Sequence, residues 1–182
     1  MTAAVSNAVL DAIRSRRVAR AVGDYPLDRT SVEAILDAAR WAPTAGNRHL
    51  PRFVATDDAG TLRALRMVSP GMVQRPVAVV AICVDWASVA EYGFPKHVTG
   101  PYVDVGTAMA TMLLAAHSLG VGAGPVTSFS RAAVGAVLRI PADWTTEALL
   151  CLGHPAAVQP PPVARTRRLT WRDLSTWVPA ER

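Results

Sequence analysis

Eighteen of the chain's 19 basic residues are arginine, and eight of these cluster near its two ends: Arg14, Arg16, Arg17 and Arg20, then Arg165, Arg167, Arg168 and Arg172. With a formal net charge of +5, such clusters raise the question of a polyanion partner. Few aromatic residues are interleaved with them, and no zinc-finger or RNA-recognition signature accompanies them, so no nucleic-acid partner is expected. Cys151-Leu152-Gly153-His154 has the spacing of a zinc pair, but no second Cys/His pair exists to complete a site. The four histidines (His49, His97, His117 and His154) are scattered, and His117 reads as a packing residue on a helix. Neither a nucleophile elbow nor a phosphate-binding Walker loop is present. Gly120-Val121-Gly122-Ala123-Gly124-Pro125 follows a helix instead of a strand, the reverse of a dinucleotide fingerprint; it reads as a tight turn into an extended segment that backbone approaches closely. Without a nucleophile, a metal or an acid–base pair, any catalysis here belongs to a cofactor.

The elements that must position these residues form one α+β domain. A length of 182 residues suits a single domain, and 51% hydrophobic residues exclude intrinsic disorder. Asn7 to Arg16 predicts a short helix with Ala8 and Ile13 facing inward. Thr30-Ser31-Val32-Glu33 reads as a capping box, and Val32, Ile35, Leu36 and Ala39 then recur at helical spacing up to a stop at Ala42-Pro43. Arg52–Thr56 predicts a strand, Leu62–Met67 a helix, and Val77–Val84 a buried strand. Trp86 to Pro101 reads as irregular. A helix follows from Val103 to Leu119 with Gly120 just past its end, then a helix from its Ser130 cap to Arg139, and a second buried strand at Ala148–Leu152. Gln159 to Pro162 is extended, because proline continues neither a helix nor a central strand, and a short helix follows near Trp171. The boundaries are a core at 1–158 and a Pro/Arg-rich tail at 159–182, packing on the core or on a partner subunit. Cys83 and Cys151 sit in apolar runs and read as buried thiols of a reducing compartment. The N-terminus lacks the charge order of a signal peptide, and the longest apolar run falls far short of the ~20 residues of a membrane helix. A soluble, cytoplasmic protein with no membrane partner is expected.

Two stretches indicate the cofactor. Arg16-Arg17-Val18-Ala19-Arg20 resembles the R-R-S-x-R motif that opens the nitroreductase family of FMN flavoproteins. Ala42-Pro43-Thr44-Ala45-Gly46-Asn47-Arg48-His49 resembles that family's A-P-S-x-x-N-x-Q. The resemblance continues through the Val103–Gly120 helix, the Gly120–Pro125 turn, Leu152-Gly153-His154-Pro155 (similar to L-G-Y-P) and the arginines at 165–168. It implies a three-layer α/β/α fold with a central mixed sheet, a homodimer with an extended C-terminal tail, and FMN at the subunit interface. Arg16, Arg17 and Arg20 would meet Arg165, Arg167 and Arg168 on the FMN phosphate, a dianion that suits planar guanidinium donors; a solvated charged face is the competing reading, to which Arg14 and Arg172 are left. Pro43, Thr44, Asn47 and His49 would reach the flavin from the neighbouring subunit, although an Asx turn explains Asn47 as well. Pro125, Val126, Thr127 and Ser128 would lie along the ring, where backbone N–H groups can hydrogen-bond N5; an ordinary strand is the alternative.

The implied activity is an FMN-dependent NAD(P)H oxidoreductase working by a ping-pong mechanism. NADH or NADPH serves as reductant, and nitroaromatics, quinones or activated alkenes serve as the small-molecule electron acceptors. Arg48 and Arg75 are candidates for the ring's N1/O2 edge, and Trp86 to Pro101 for the specificity region. The Val103–Leu119 helix could pair with its two-fold mate or serve as a core helix. Two departures from the motifs, Val18 for a hydroxyl residue and His49 for glutamine, favour the alternative of a non-catalytic flavin-binding or flavin-sequestering protein of the same fold.

Overall fold

In a computed structural model, residues 7–161 and 170–178 are described; Arg165, Arg167 and Arg168 lie outside them. The elements are α1 (Ala8–Ser15), α2 (Arg29–Ala39), β1 (Pro51–Thr56), α3 (Ala59–Met67), β2 (Ala78–Asp85), α4 (Trp86–Glu91), α5 (Thr99–Ser118), β3 (Gly122–Val126), α6 (Arg131–Leu138) and β4 (Trp144–Gly153). Short 3-10 turns occur at Ala45–Asn47 and Trp171–Asp173.

The strands form one sheet in the order β1-β2-β4-β3. Every pairing is antiparallel, so the expected mixed sheet is not found among the described residues. Consecutive side chains of a strand point to opposite faces, and β2 is buried on both. Val80, Ile82 and Val84 join Ile35, Met112 and Leu150 in one core cluster, beneath α2 and α5. Val79, Ala81 and Cys83 join Leu62, Leu65, Val134 and Leu149 in a second, beneath α3 and α6. The result is the three-layer α/β/α arrangement with α5, 20 residues long, as its central helix. Both cysteines are free and buried in the second cluster, as expected; burial pushes the Cys151 thiol up to about 12.

Several local expectations are corrected. Ile13 is 52% exposed and no residue of α1 is buried, so the expected inward face of Ala8 and Ile13 is not covered by the described residues. Asp28, two residues ahead of the expected capping box, caps α2 by accepting from Thr30 N–H, while Glu33 pairs with Arg29 at 3.1 Å. Trp86–Glu91 is helical where an irregular segment was expected, because Asp85 caps it through Ser88. Finally, α5 begins at Thr99, four residues early, with Pro101 in its first turn, where a missing N–H costs nothing.

Candidate functional site

The first arginine cluster is placed by the end of α1. Arg16 leaves the helix with φ −52° and ψ 131°, and Ala19 N–H then donates to Ala123 O at 3.0 Å, laying the segment along the outer edge of β3. Ala19 O in turn accepts from Gln74 Nε2 at 3.1 Å. Glycine is required at this edge: a Cβ on Gly124 would stand 2.8 Å from Ala19 O, and one on Gly122 would stand 3.0 Å from Ala19 Cβ. The close backbone approach read from the glycines is therefore the arginine segment itself.

Within that segment the three arginines differ. Arg16 Nη1 is buried and meets no described hydrogen-bond partner; a buried guanidinium N–H without an acceptor is a costly state that an anion relieves. Arg17 folds back, donating to Arg14 O at 2.7 Å and Arg16 O at 3.0 Å, and so closes the helix end. The Arg20 guanidinium, half-buried, has no ion pair among the described residues. Gln159 was not singled out from sequence, yet it joins the two ends of the chain. Its Oε1 accepts from Arg20 N–H at 2.8 Å and Ala21 N–H at 3.0 Å, and its Nε2 donates to Ala21 O at 2.7 Å. With the Val22–Pro155 bridge, the start of the tail is fixed beside the first arginine cluster. The one available signal was its place at the head of the proline run.

The second group lies elsewhere. Pro43, Thr44, Asn47 and His49 line a cleft of about 660 Å³ with Trp41, Phe53 and Ala108. Their loop is held against α5: Ala45 N–H donates to Asp104 Oδ1 at 3.0 Å, and Thr107 Oγ1 donates to Pro43 O at 2.9 Å. Asp104, a buried carboxylate whose Oδ2 has no hydrogen-bond partner among the described residues, was also missed from sequence. No Asx turn forms at Asn47. Thr44 Oγ1 closes the loop by accepting from His49 N–H at 3.1 Å, and the Asn47 amide, at φ +56°, makes no hydrogen bond among the described residues.

One chain does not bring the two groups together. The arginine segment sits at β3 and at the C-terminal end of α5, where Ser15 Oγ and His117 Nε2 are 2.9 Å apart. The Pro43–His49 loop precedes β1 and packs near Asp104 and Thr107. β1 and β3 are opposite edges of the sheet, about 14 Å apart at three strand spacings. Of the ring-edge candidates, Val126 is buried in the second cluster, so only its backbone is on offer, while Pro125 is half-buried and Thr127 exposed. Arg75 lines a separate concavity of about 570 Å³ between α2 and α3 with Arg63 and Arg66, whose lining includes no residue of either group, and Arg48 stacks on aromatic rings. No metal-binding cluster occurs among the described residues. Instead of pairing as ligands, Cys151 lies in the core and His154 stacks on Tyr25 at 4.1 Å.

The nitroreductase family profile matches residues 13–85 and 78–154. The chain belongs to the nitroreductase family. Among curated relatives of this nitroreductase-family chain, a 5,6-dimethylbenzimidazole synthase of Rhodospirillum rubrum is 30% identical, covering 90% of this chain and 89% of that protein. A Streptomyces coelicolor protein carrying the provisional name NADH dehydrogenase/NAD(P)H nitroreductase is 27% identical over 88% and 89%. A solved Desulfovibrio desulfuricans nitroreductase-like protein in complex with FMN superposes with TM-score 0.77 at 26% identity, covering 97% of this chain and all of that one. A Clostridium difficile 630 nitroreductase-family structure gives TM-score 0.78 at 20% identity, covering 94% and 98%. The fold is thus the α+β nitroreductase fold. No helix among the described residues is long and apolar enough to cross a membrane.

Proposed function

We propose that the protein is a homodimeric, FMN-dependent oxidoreductase that takes reducing equivalents from NADH or NADPH and passes them to a small planar acceptor such as a nitroaromatic, a quinone or an activated alkene. The observation that carries this reading is the buried Nη1 of Arg16, without a partner among the described residues, beside the glycine-lined edge of β3. A buried guanidinium nitrogen suits a phosphate dianion, which would satisfy it with charge-assisted bonds. Arg16 and Arg20 would hold the phosphate. Arg165, Arg167 and Arg168 would reach it from the tail, since the six residue-to-residue steps from Gln159 to Arg165 can span up to about 20 Å. Arg17, turned onto the helix end, contributes positive charge more than donors.

The ring edge would lie along β3. Because Ala123 O faces outward to Ala19 N–H, the two-residue alternation of the strand turns Pro125 and Thr127 outward as well. Proline has no N–H, so the first outward donor is that of Thr127, which would bond the ring nitrogen that exchanges hydride. When bound, FMN supplies hydride acceptance and donation at N5, the basis of a ping-pong cycle. The chain positions the ring and excludes water without a side-chain acid. Pro43, Thr44, Asn47 and His49 would cover the ring from the partner subunit, in keeping with their cleft standing on the far edge of the sheet within one chain. The two-fold assembly is also supported by Val9 and Ile13, 66% and 52% exposed on α1.

The test is the visible absorption of the purified protein, followed by anaerobic titration with each reduced nucleotide. A flavin band that bleaches with one of them is the expected result. A colourless protein that FMN does not colour would overturn the reading. A yellow protein that neither nucleotide bleaches is the non-catalytic flavin carrier.

A further inference from the structure

The segment that carries Arg16 and Arg20 is held unevenly. Its far half is tied to the start of the tail: Arg20 N–H and Ala21 N–H donate to Gln159 Oε1, and Gly23 N–H donates to His154 O at 2.8 Å. Its near half, from the end of α1 to Ala19, has less to hold it. No residue of α1 is buried, and Arg17 donates to carbonyls of its own helix end. Among the described residues, Ala19 is where this half reaches the sheet, through its N–H to Ala123 O and its carbonyl to Gln74 Nε2. The first of these bonds is backbone to backbone. The second hangs on one side chain, three residues from Arg16.

Gln74 stands on a firm base. Gly71 N–H donates to Ser128 O at 2.9 Å, and a Cβ on Gly71 would lie 2.9 Å from that of Ser128, so the loop is pressed against the stretch that follows β3. Met72 is buried in the second core cluster, and Val77 N–H donates to Leu152 O at 3.0 Å. Gln74 itself is 4% exposed. Its Nε2 donates to Ala19 O at 3.1 Å, which fixes the orientation of the amide, since only the nitrogen end can donate. Oε1 is buried and meets no hydrogen-bond partner among the described residues. A buried amide with one end unsatisfied costs stability that an apolar side chain of the same length does not. What the amide offers at this position, and an apolar side chain cannot, is the donor to Ala19 O.

We propose that Gln74 is a positioning residue: by holding Ala19 O it sets Arg16 at the phosphate end of the flavin, and so governs the preference for a phosphorylated flavin. This rests on the flavin oxidoreductase reading above. The full chain, freed of flavin, is titrated with FMN and with riboflavin, which has the same ring and ribityl chain but no phosphate, and quenching of flavin fluorescence is followed. The wild type is expected to bind FMN more tightly. Gln74→Met, close in length and without the donor, should weaken FMN about three- to tenfold, as the loss of one neutral hydrogen bond does, and leave riboflavin within about twofold. In an Arg16→Ala background the same change should shift FMN by less than about twofold, because the bond acts through Arg16. Gln74→Leu should repeat the pattern. Equal weakening of both flavins, an unchanged FMN affinity, or a full effect that survives Arg16→Ala overturns the inference. So does failure of both variants to fold, which would make Gln74 a packing residue. Wild type that binds FMN but whose variants treat the two flavins alike removes this inference alone; wild type that binds neither flavin removes the parent reading with it.

Discussion

At the scale of single residues, the most consequential atom is a buried guanidinium nitrogen. Arg16 Nη1 is buried and meets no hydrogen-bond partner among the described residues, so a ligand phosphate would offset its desolvation cost. Replacing Arg16 by Ala deletes both the cost and the bond. A hydrogen bond to a charged group is worth about 1.5–3 kcal/mol, so FMN dissociation, followed by fluorescence of the released flavin, should become roughly tenfold to hundredfold more favourable. Adding Arg167→Ala should weaken retention further if the tail shares the phosphate. Unchanged retention in the double variant would remove the phosphate assignment and leave the fold untouched.

Elements carry constraints that no single side chain shows. The approach of Ala19 to β3 leaves no room for a methyl group on Gly124, which would stand 2.8 Å from Ala19 O and clash with Gln74 Nε2. Gly124→Ala should therefore cost about 1–3 kcal/mol, as overpacking does, and should loosen FMN by displacing the arginine segment. Thermal unfolding and flavin retention read the two effects separately. The start of α4 has its own acid dependence. Burial pushes the Asp85 carboxyl up, but hydrogen bonds from Ser88 N–H and Oγ, together with the Arg52 guanidinium 3.3 Å away, outweigh it and hold its pKa below the ordinary carboxylate range. A depressed folded-state pKa adds stability above about pH 4, and this is lost as pH falls through the folded value. Asp85→Asn should accordingly be less stable than wild type by about 2 kcal/mol near neutrality, with the gap in Tm closing as pH drops below 4.

On the scale of the whole molecule, the cofactor site as proposed is incomplete in one chain: its two groups occupy opposite sheet edges and different stretches of α5. A two-fold copy would bring the Pro43–His49 loop of one subunit to the arginine segment of the other. Such an interface needs apolar surface, and α1 offers Val9 and Ile13 uncovered. Ile13→Glu should thus shift sedimentation from dimer to monomer and abolish flavin retention together, while the far-ultraviolet dichroism of the fold stays intact. A flavin-loaded monomer would contradict the shared site.

Much was legible in the chain itself. Strand β2 was evident because eight consecutive apolar residues cannot be solvated, and α5 because its apolar positions keep helical spacing. The glycine-rich turn announced a close approach because only glycine permits one. Caps were less legible: Asp28 displaced the expected Thr30 box because several side chains near a helix start compete for the same N–H groups, and backbone direction decides among them. The inward face expected of α1 failed because periodicity marks an apolar face without saying whose surface covers it. Tertiary structure alone decided that Gln159 ties the tail to Arg20, that Asp104 holds the Pro43–His49 loop, and that Arg48 is gripped by two rings. Each contact joins residues far apart in sequence or separated by a turn of unforeseen shape, and local propensity has no term for such distances.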